Sequence, residues 1–419
     1  MSQPYVGTTD PEIANFHHLN PEVQDDPHPF YRKLRNECPV ARTDRCGGYW
    51  LLSKYDDVYA VSQQPEVFSS FPNPIPPSLG NTRPLIPLEM DPPEHTEYRH
   101  ILAPIFSVQR MAALEPVIRR HVRQLIDAVY AKGECEFVSE VGQELPTRVF
   151  LEMTGWPVEH ASMFLDWVDH MMRPLNYLGD QATGDADKDD ALAEEIRMAA
   201  GMQLYEYFAD ELDKRDELGP PKQGDEADFI DSLRAATFAG ERPLTQFEIL
   251  DCIFIILIAG LDTTQGVLSF SMEFLASHDD HRKDLAEHPE VIPMAVEELV
   301  RYFSPTAPGR TCTQDTVVRG VEMKKGDRVM LLHGSANRDS DAFPDADEVI
   351  FRRDPNRHIG FGAGVHRCVG SHLARLELRI ALEEWHRRIP EYHLKPGAPR
   401  RHHLSQVAGV DEIHLVWNP

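Results

Sequence analysis

The chain has 419 residues, 42% hydrophobic and 26% charged, which is enough length and apolar content to bury a large core. Its 68 acidic and 42 basic residues give a formal net charge of −26, which argues against a general nucleic-acid binder, since such a protein carries a basic face. Six scattered cysteines with no CxxC pair point to a reducing compartment and not to a disulfide framework.

The first residues, MSQPYVGTTDPEIANFHH, lack the basic region and apolar stretch of a secretory signal. Further on, SSFPNPIPPSLGNTRPLIP (69–87) is too rich in proline for a helix or a central strand. VQRMAALEPVIRRHVRQLIDAVYA (108–131) repeats Met111, Leu114, Ile118, Val122, Leu125 and Val129 at helical spacing, predicting one amphipathic helix. ATGDADKDDALAEE (182–195) reads as a solvated loop or helix end, and GPPKQGDEAD (219–228) as a break.

A long helix is predicted over 243–276, with Thr245 as its N-cap. Its middle, CIFIILIAG (252–260), is apolar all round, so it should cross the core; at about half the length of a bilayer span it implies no membrane. A second helix, VIPMAVEELVRYF (291–303), ends at Ser304-Pro305, and a third, 369–389, starts just after Cys368. Short strand signals stand at 49–53, 316–332 and 413–417. The class is mainly α with small β sheets, in a soluble, cytoplasmic protein.

The chemistry concentrates in HIGFGAGVHRCVG (358–370), where one cysteine sits among glycines, histidines and an arginine. A phosphate loop of the GxGxxG kind would need glycine at Val365, and no GK[ST] follows. Zinc would need three or four protein ligands, and no partner pair has metal spacing. A thiolate ahead of a helix N-terminus is stabilised as an anion. Gly362, Gly364 and Gly370 would let the backbone approach a flat ligand and take positive φ. A metal held by Cys368 alone takes its other ligands from a cofactor, and haem, with four equatorial nitrogens, fits that count.

FGAGVHRCVG, from Phe361 to Gly370, resembles the cysteine loop of the cytochrome P-450 family, FxxGxHxCxG, at every fixed position. AGLDTT (259–264), in the middle of the apolar helix, resembles the family's acid–alcohol pair; a threonine bonded back to the previous helical turn is the plainer account of the same residues. EELVR, with Glu298 and Arg301 three apart, is on spacing alone an ordinary surface ion pair worth a few tenths of a kcal/mol. It also resembles the family's ExxR pattern, which implies a buried structural pair bound to the segment 336–358.

The resemblance covers nearly the whole chain and is closest to soluble bacterial members of the camphor-hydroxylase type. It implies one domain over 1–419, with haem b between the long helix and the cysteine-loop helix. Cys368 becomes the axial metal ligand, while Phe361, Gly362, Ala259 and Gly260 lie against the cofactor. His95 and Arg99 (in DPPEHTEYR), Arg310 and His366 take the propionate-binding positions. Thr263 becomes the hydrogen-bond partner of dioxygen and Asp262 the proton relay. A substrate pocket of Arg83, Leu85, Ile255, Ile258, Ala259, Thr306 and Val407 follows, suited to a small hydrophobic substrate of the terpenoid or aromatic kind. Arg83 stands near a position where the camphor enzyme has a tyrosine, so camphor itself does not carry over; the arginine would face a substrate carboxylate or solvent.

The activity implied is a monooxygenase reaction: dioxygen, two external electrons, and one oxygen atom placed in a C–H bond or alkene. No flavin or nicotinamide motif is present, so electrons are expected from an iron–sulfur ferredoxin and its reductase. RMAALEPVIRRHVR (110–123) has four arginines against one glutamate and, with Arg367, could dock an acidic ferredoxin; a solvated basic face fits the composition equally. A peroxide-using enzyme of the same fold, or a haem sensor, would not need Asp262 and Thr263.

Overall fold

The computed structural model describes residues 10–16, 21–75, 79–81, 83–184, 186–404 and 407–419. Parts of the proline-rich stretch (76–78 and 82) and residue 185 of the acidic stretch lie outside the described residues. Two compact units form, one of Met1–Ile75, Phe106–Pro146 and Asp262–Pro419, the other of Pro76–Ile105 and Thr147–Leu261. Among the described residues no single helix is long and apolar enough to cross a membrane.

The first unit holds a five-stranded sheet in the order Val40–Thr43, Tyr49–Leu52, Arg328–Leu331, Gly309–Cys312, Phe68–Ser69. Its central strand runs parallel to Tyr49–Leu52 and antiparallel to Gly309–Cys312, so Val329 faces both Trp50 and Arg310 in register. Apolar side chains from the two sheet faces feed separate clusters, one around Trp50, Leu52 and Val329, the other around Tyr49, Leu51 and Met330, as strand alternation requires. Helix Ser371–Arg388 packs on Glu115–Tyr130 and on Ile292–Tyr302 in the same unit.

In the second unit, helix Ala186–Leu218 runs along Ala161–Met172. An aromatic cluster fixes that contact: Trp156 stacks on Phe208 at 5.3 Å, and Phe164 meets Tyr207 edge-on at 5.1 Å. The acidic stretch therefore belongs largely to a 33-residue helix. Asp189 accepts hydrogen bonds from the Thr183 and Gly184 backbone N–H groups just ahead of it.

The longest apolar helix spans Gln246–Ser277. It starts in a capping box: the Glu248 N–H donates to Thr245 Oγ1 at 3.3 Å, and the Thr245 N–H donates to Glu248 Oε2 at 2.7 Å. The single helix predicted over 108–131 is instead two, Val108–Ala113 and Glu115–Tyr130. Pro116 accounts for the break, because it lacks an N–H and its ring crowds the turn before it.

Candidate active site

Backbone demands shape the loop around Cys368 before any chemistry does. Gly362 and Gly364 take φ of 70° and 68°, a conformation side chains rarely adopt. A Cβ on Gly364 would also stand 2.0 Å from the Ser62 carbonyl oxygen. The Cys368 N–H donates to the Phe361 carbonyl at 2.8 Å and closes the loop, leaving the thiol exposed. Gly370 does not use the left-handed freedom expected of it: at φ −81° it is the N-cap of helix Ser371–Arg388.

Side chains outside the loop hold it in place. Asn337 Oδ1 accepts from the Ile359 N–H at 2.8 Å, and Arg375 lies over the Phe361 ring at 4.2 Å. Glu297 binds Arg375 at 2.5 and 2.8 Å and His358 at 3.0 Å. Burial would push the Glu297 carboxyl up, but the hydrogen bonds from Arg375 and His358 hold it at about 2. Nothing in the local spacing of 358–370 pointed to Asn337, Glu297 or Arg375, which reach the loop from other elements.

Glu298 and Arg301 are both fully buried. Arg301 forks onto Glu298 at 2.8 Å and also donates to the carbonyls of Asn337, Ala346 and Glu348 at 2.7–2.8 Å. In turn, Glu298 accepts from Arg353 and Asn356 and from the Ile350 N–H. The surface ion-pair account of EELVR is thereby ruled out, because solvent reaches neither side chain.

On the long helix, Ile255 and Ile258 are buried, whereas Ala259 is exposed and Thr263 half-buried. Nothing lies within 4 Å of a Cβ placed on Gly260. Asp262, by contrast, is 5% exposed. The helix thus presents a small-residue face with room beside it, next to a buried acid.

The four cations stand on three elements. His95 is buried and Arg99 half-buried, four apart on one face of Glu94–Ile105. Arg310 is buried on strand Gly309–Cys312, and His366 is half-buried in the turn Gly364–His366. His333, which no motif singled out, belongs with Arg310. It is buried, its Nδ1 bonds Thr306 Oγ1 at 2.9 Å, and its ring would lie 3.9 Å from a Cβ on Gly362. Burial, and then the nearby Arg310 charge, push it down to about 3, so it is neutral.

Thr306 bridges Val407, bringing two of the pocket candidates together, and Leu85 is fully buried in the second unit. Arg83 is engaged within the second unit by a carboxylate that its own stretch of sequence does not contain. It forks onto Asp251 at 3.0 and 2.7 Å, under Tyr205 and Phe247. The arginine helix also differs from a plain basic patch, since Arg119 binds Glu115, Glu383 and Glu384, and Arg123 binds Glu384. Helix packing supplied two counter-charges, Glu383 and Glu384, that lie outside 110–123.

The donor set suits a flat iron cofactor with carboxylate arms. Among the described residues no three His, Cys, Asp or Glu side chains converge as a metal site. An ion on Cys368 therefore brings its remaining ligands with it, and Arg310 with neutral His333 offers donors to carboxylates beside the loop.

Comparison with known proteins agrees. The family described as Cytochrome P450 matches residues 6–388. The vitamin D(3) 25-hydroxylase of Pseudonocardia autotrophica is 32% identical over 403 residues, 94% of this chain and 94% of that protein. The mycinamicin IV hydroxylase/epoxidase of Micromonospora griseorubida is 32% identical, over 92% of this chain and 94% of that protein. The crystal structure of CYP101J2 matches with a TM-score of 0.84 at 28% identity, over 100% of both chains. This chain belongs to the cytochrome P450 family of monooxygenases, which bind haem b through a cysteine thiolate.

Proposed function

We propose that the protein uses dioxygen and two electrons from an external iron–sulfur ferredoxin, itself served by a reductase, to hydroxylate or epoxidise a hydrophobic substrate. The observation that carries this reading is the exposed thiol of Cys368, held at the end of a loop built on two left-handed glycines. Bound haem supplies dioxygen reduction, with the thiolate's electron density favouring O–O cleavage.

The chain's own residues do the rest. Cys368 holds the iron as a thiolate. His95, Arg99, Arg310 and His366 pair with the carboxylate arms, which would otherwise be buried charges. Phe361, Gly362, Ala259 and Gly260 would lie against the bound ring. Thr263 donates a hydrogen bond to the reacting oxygen, and Asp262 hands protons inward from its buried position. The residues implied as the pocket, Leu85, Ile255, Ile258, Ala259, Thr306 and Val407, are mostly apolar, consistent with a terpenoid or aromatic substrate, or with one of the vitamin D(3) kind named for a relative. Arg83 is the remaining pocket candidate, its guanidinium forked onto Asp251. Because the family match runs through both compact units, the reading takes residues 1–419 as one functional domain in the cytoplasm.

The test is the absorption spectrum of reduced protein under carbon monoxide. A thiolate-type, red-shifted Soret band is expected, and its loss in Cys368→His. A histidine-type band in the unaltered protein would overturn the assignment.

A further inference from the structure

Beside the end of helix Ile292–Tyr302, a cleft of about 660 Å³ opens within the first unit. One wall is aromatic: Phe270 and Phe303 stack at 5.5 Å, and His402 continues the stack on Phe270 at 5.8 Å. Arg338 also lines the cleft, although it is only 7% exposed. Its guanidinium lies over Tyr302, 3.5 Å from the ring centroid, and its Nε donates to the Tyr302 carbonyl at 3.1 Å.

No carboxylate among the described residues comes within ion-pair distance of Arg338. The two acids whose charge reaches it are engaged elsewhere, Asp347 by Arg32 at 3.0 Å and Asp26 by the His28 N–H at 3.0 Å. Glu273, another acid of the cleft, is held by His402 at 2.8 Å and lies 3.5 Å from Arg400. Burial lowers Arg338 only to about 10, so the charge persists at neutral pH. His28 Nδ1, also in the lining, is a buried polar atom without a hydrogen bond among the described residues. The cleft thus joins a flat apolar wall to one buried, uncompensated cation, an arrangement that is costly unless an anion completes it.

We propose that this cleft binds a small aromatic monocarboxylate, its carboxylate forked onto Arg338 and its ring packed on the Phe270–Phe303 wall. Guanidinium and carboxylate match in plane and spacing, which an ammonium or a carbonyl group would not. A multiply charged anion such as phosphate is disfavoured, because Asp25 and Asp26 stand exposed at the rim and the nearby Arg400 and His402 already face Glu273. The site does not depend on the haem reading.

The test is calorimetric titration of the purified holoprotein with benzoate, benzamide and inorganic phosphate, with the Soret band recorded alongside. Benzoate is expected to bind with a Kd below about 1 mM, and benzamide and phosphate at least about tenfold more weakly. Arg338→Met should lose about tenfold or more of the benzoate affinity, and Ser277→Trp, a rim substitution, should lose it by obstruction. Neither change should alter the Soret band, which also shows that both variants are folded. Benzamide binding as tightly as benzoate would overturn the proposal. So would benzoate binding that survives both substitutions or comes with a haem spin-state shift, since either puts the ligand elsewhere.

Discussion

Replacing Arg301 by methionine tests whether the buried pair holds up the cysteine loop. The substitution removes both bonds to Glu298 and leaves the Asn337 and Ala346 carbonyls without their donor, while the Glu348 carbonyl keeps Arg353. Glu298 keeps Arg353, Asn356 and the Ile350 N–H, so the broken pair costs about 3 kcal/mol, the low end for buried pairs. Each stranded carbonyl adds about 1.5 kcal/mol, for a loss near 6 kcal/mol. Unfolding entropy is about 2.1 cal/mol/K per residue, so a chain of 419 residues changes by about 0.9 kcal/mol per degree. Melting of the holoprotein followed by circular dichroism should therefore drop by about 7 °C. Haem should also be lost faster, because Asn337, which Arg301 bonds, holds the Ile359 N–H. Arg301→Lys should recover little of this, since an ammonium cannot fork onto Glu298. As a control, Arg352→Met removes an exposed pair with Asp284 and should move Tm by about 1 °C or less. An Arg301→Met variant melting within about 2 °C of the parent would refute the argument that this arginine organises 337–348.

Glu377 is buried and pushed up to about 8 by burial, so the folded state holds its proton more tightly than the unfolded chain. Its contribution is complete below the ordinary carboxylate range and lost as pH rises to about 8, at up to about 1.4 kcal/mol per pH unit. Urea midpoints should fall across that window, and Glu377→Gln should flatten the fall; an unchanged slope counts against a protonated Glu377. Glu384 shows the opposite sign: burial would raise it, but Arg123, Arg119 and Arg387 hold it at about 2, so its contribution is present at neutral pH and lost as pH falls toward 2. Glu384→Gln should cost about 1–2 kcal/mol at pH 7, limited because Arg123 and Arg387 are more than half exposed, and equal urea midpoints would sink that reasoning. Thr263→Ala should keep consuming reductant but divert it to peroxide, with product per electron down about tenfold, the worth of one hydrogen bond of about 1.4 kcal/mol. Unchanged coupling would remove Thr263 from proton delivery.

The features readable along the chain are those whose physics is local. A thiolate loop needs glycines at fixed offsets and a following helix, so 358–370 carries its own signature. A helix that is apolar on all faces announces its burial, and the Thr245–Glu248 box marks its start three residues apart. An ExxR pair shares a helix face by spacing alone, although nothing in EELVR reveals whether solvent reaches it.

Distant partners are another matter, because packing alone chooses them. Arg83 finds Asp251 across 168 positions, and Arg119 finds Glu384 across 265. His333 joins Arg310 and Gly362 only when strands and loop converge, and no periodicity marks it. Pro116, plain in the sequence, breaks a helix whose apolar spacing reads as continuous, since the pattern of faces survives a kink. Side-chain spacing within one element thus specified the cysteine loop, the core helix and the fold class. Which charges are neutralised, and which one in the Arg338 cleft is left uncompensated among the described residues, depended on contacts between elements far apart in the chain, where burial strengthens every unpaired charge.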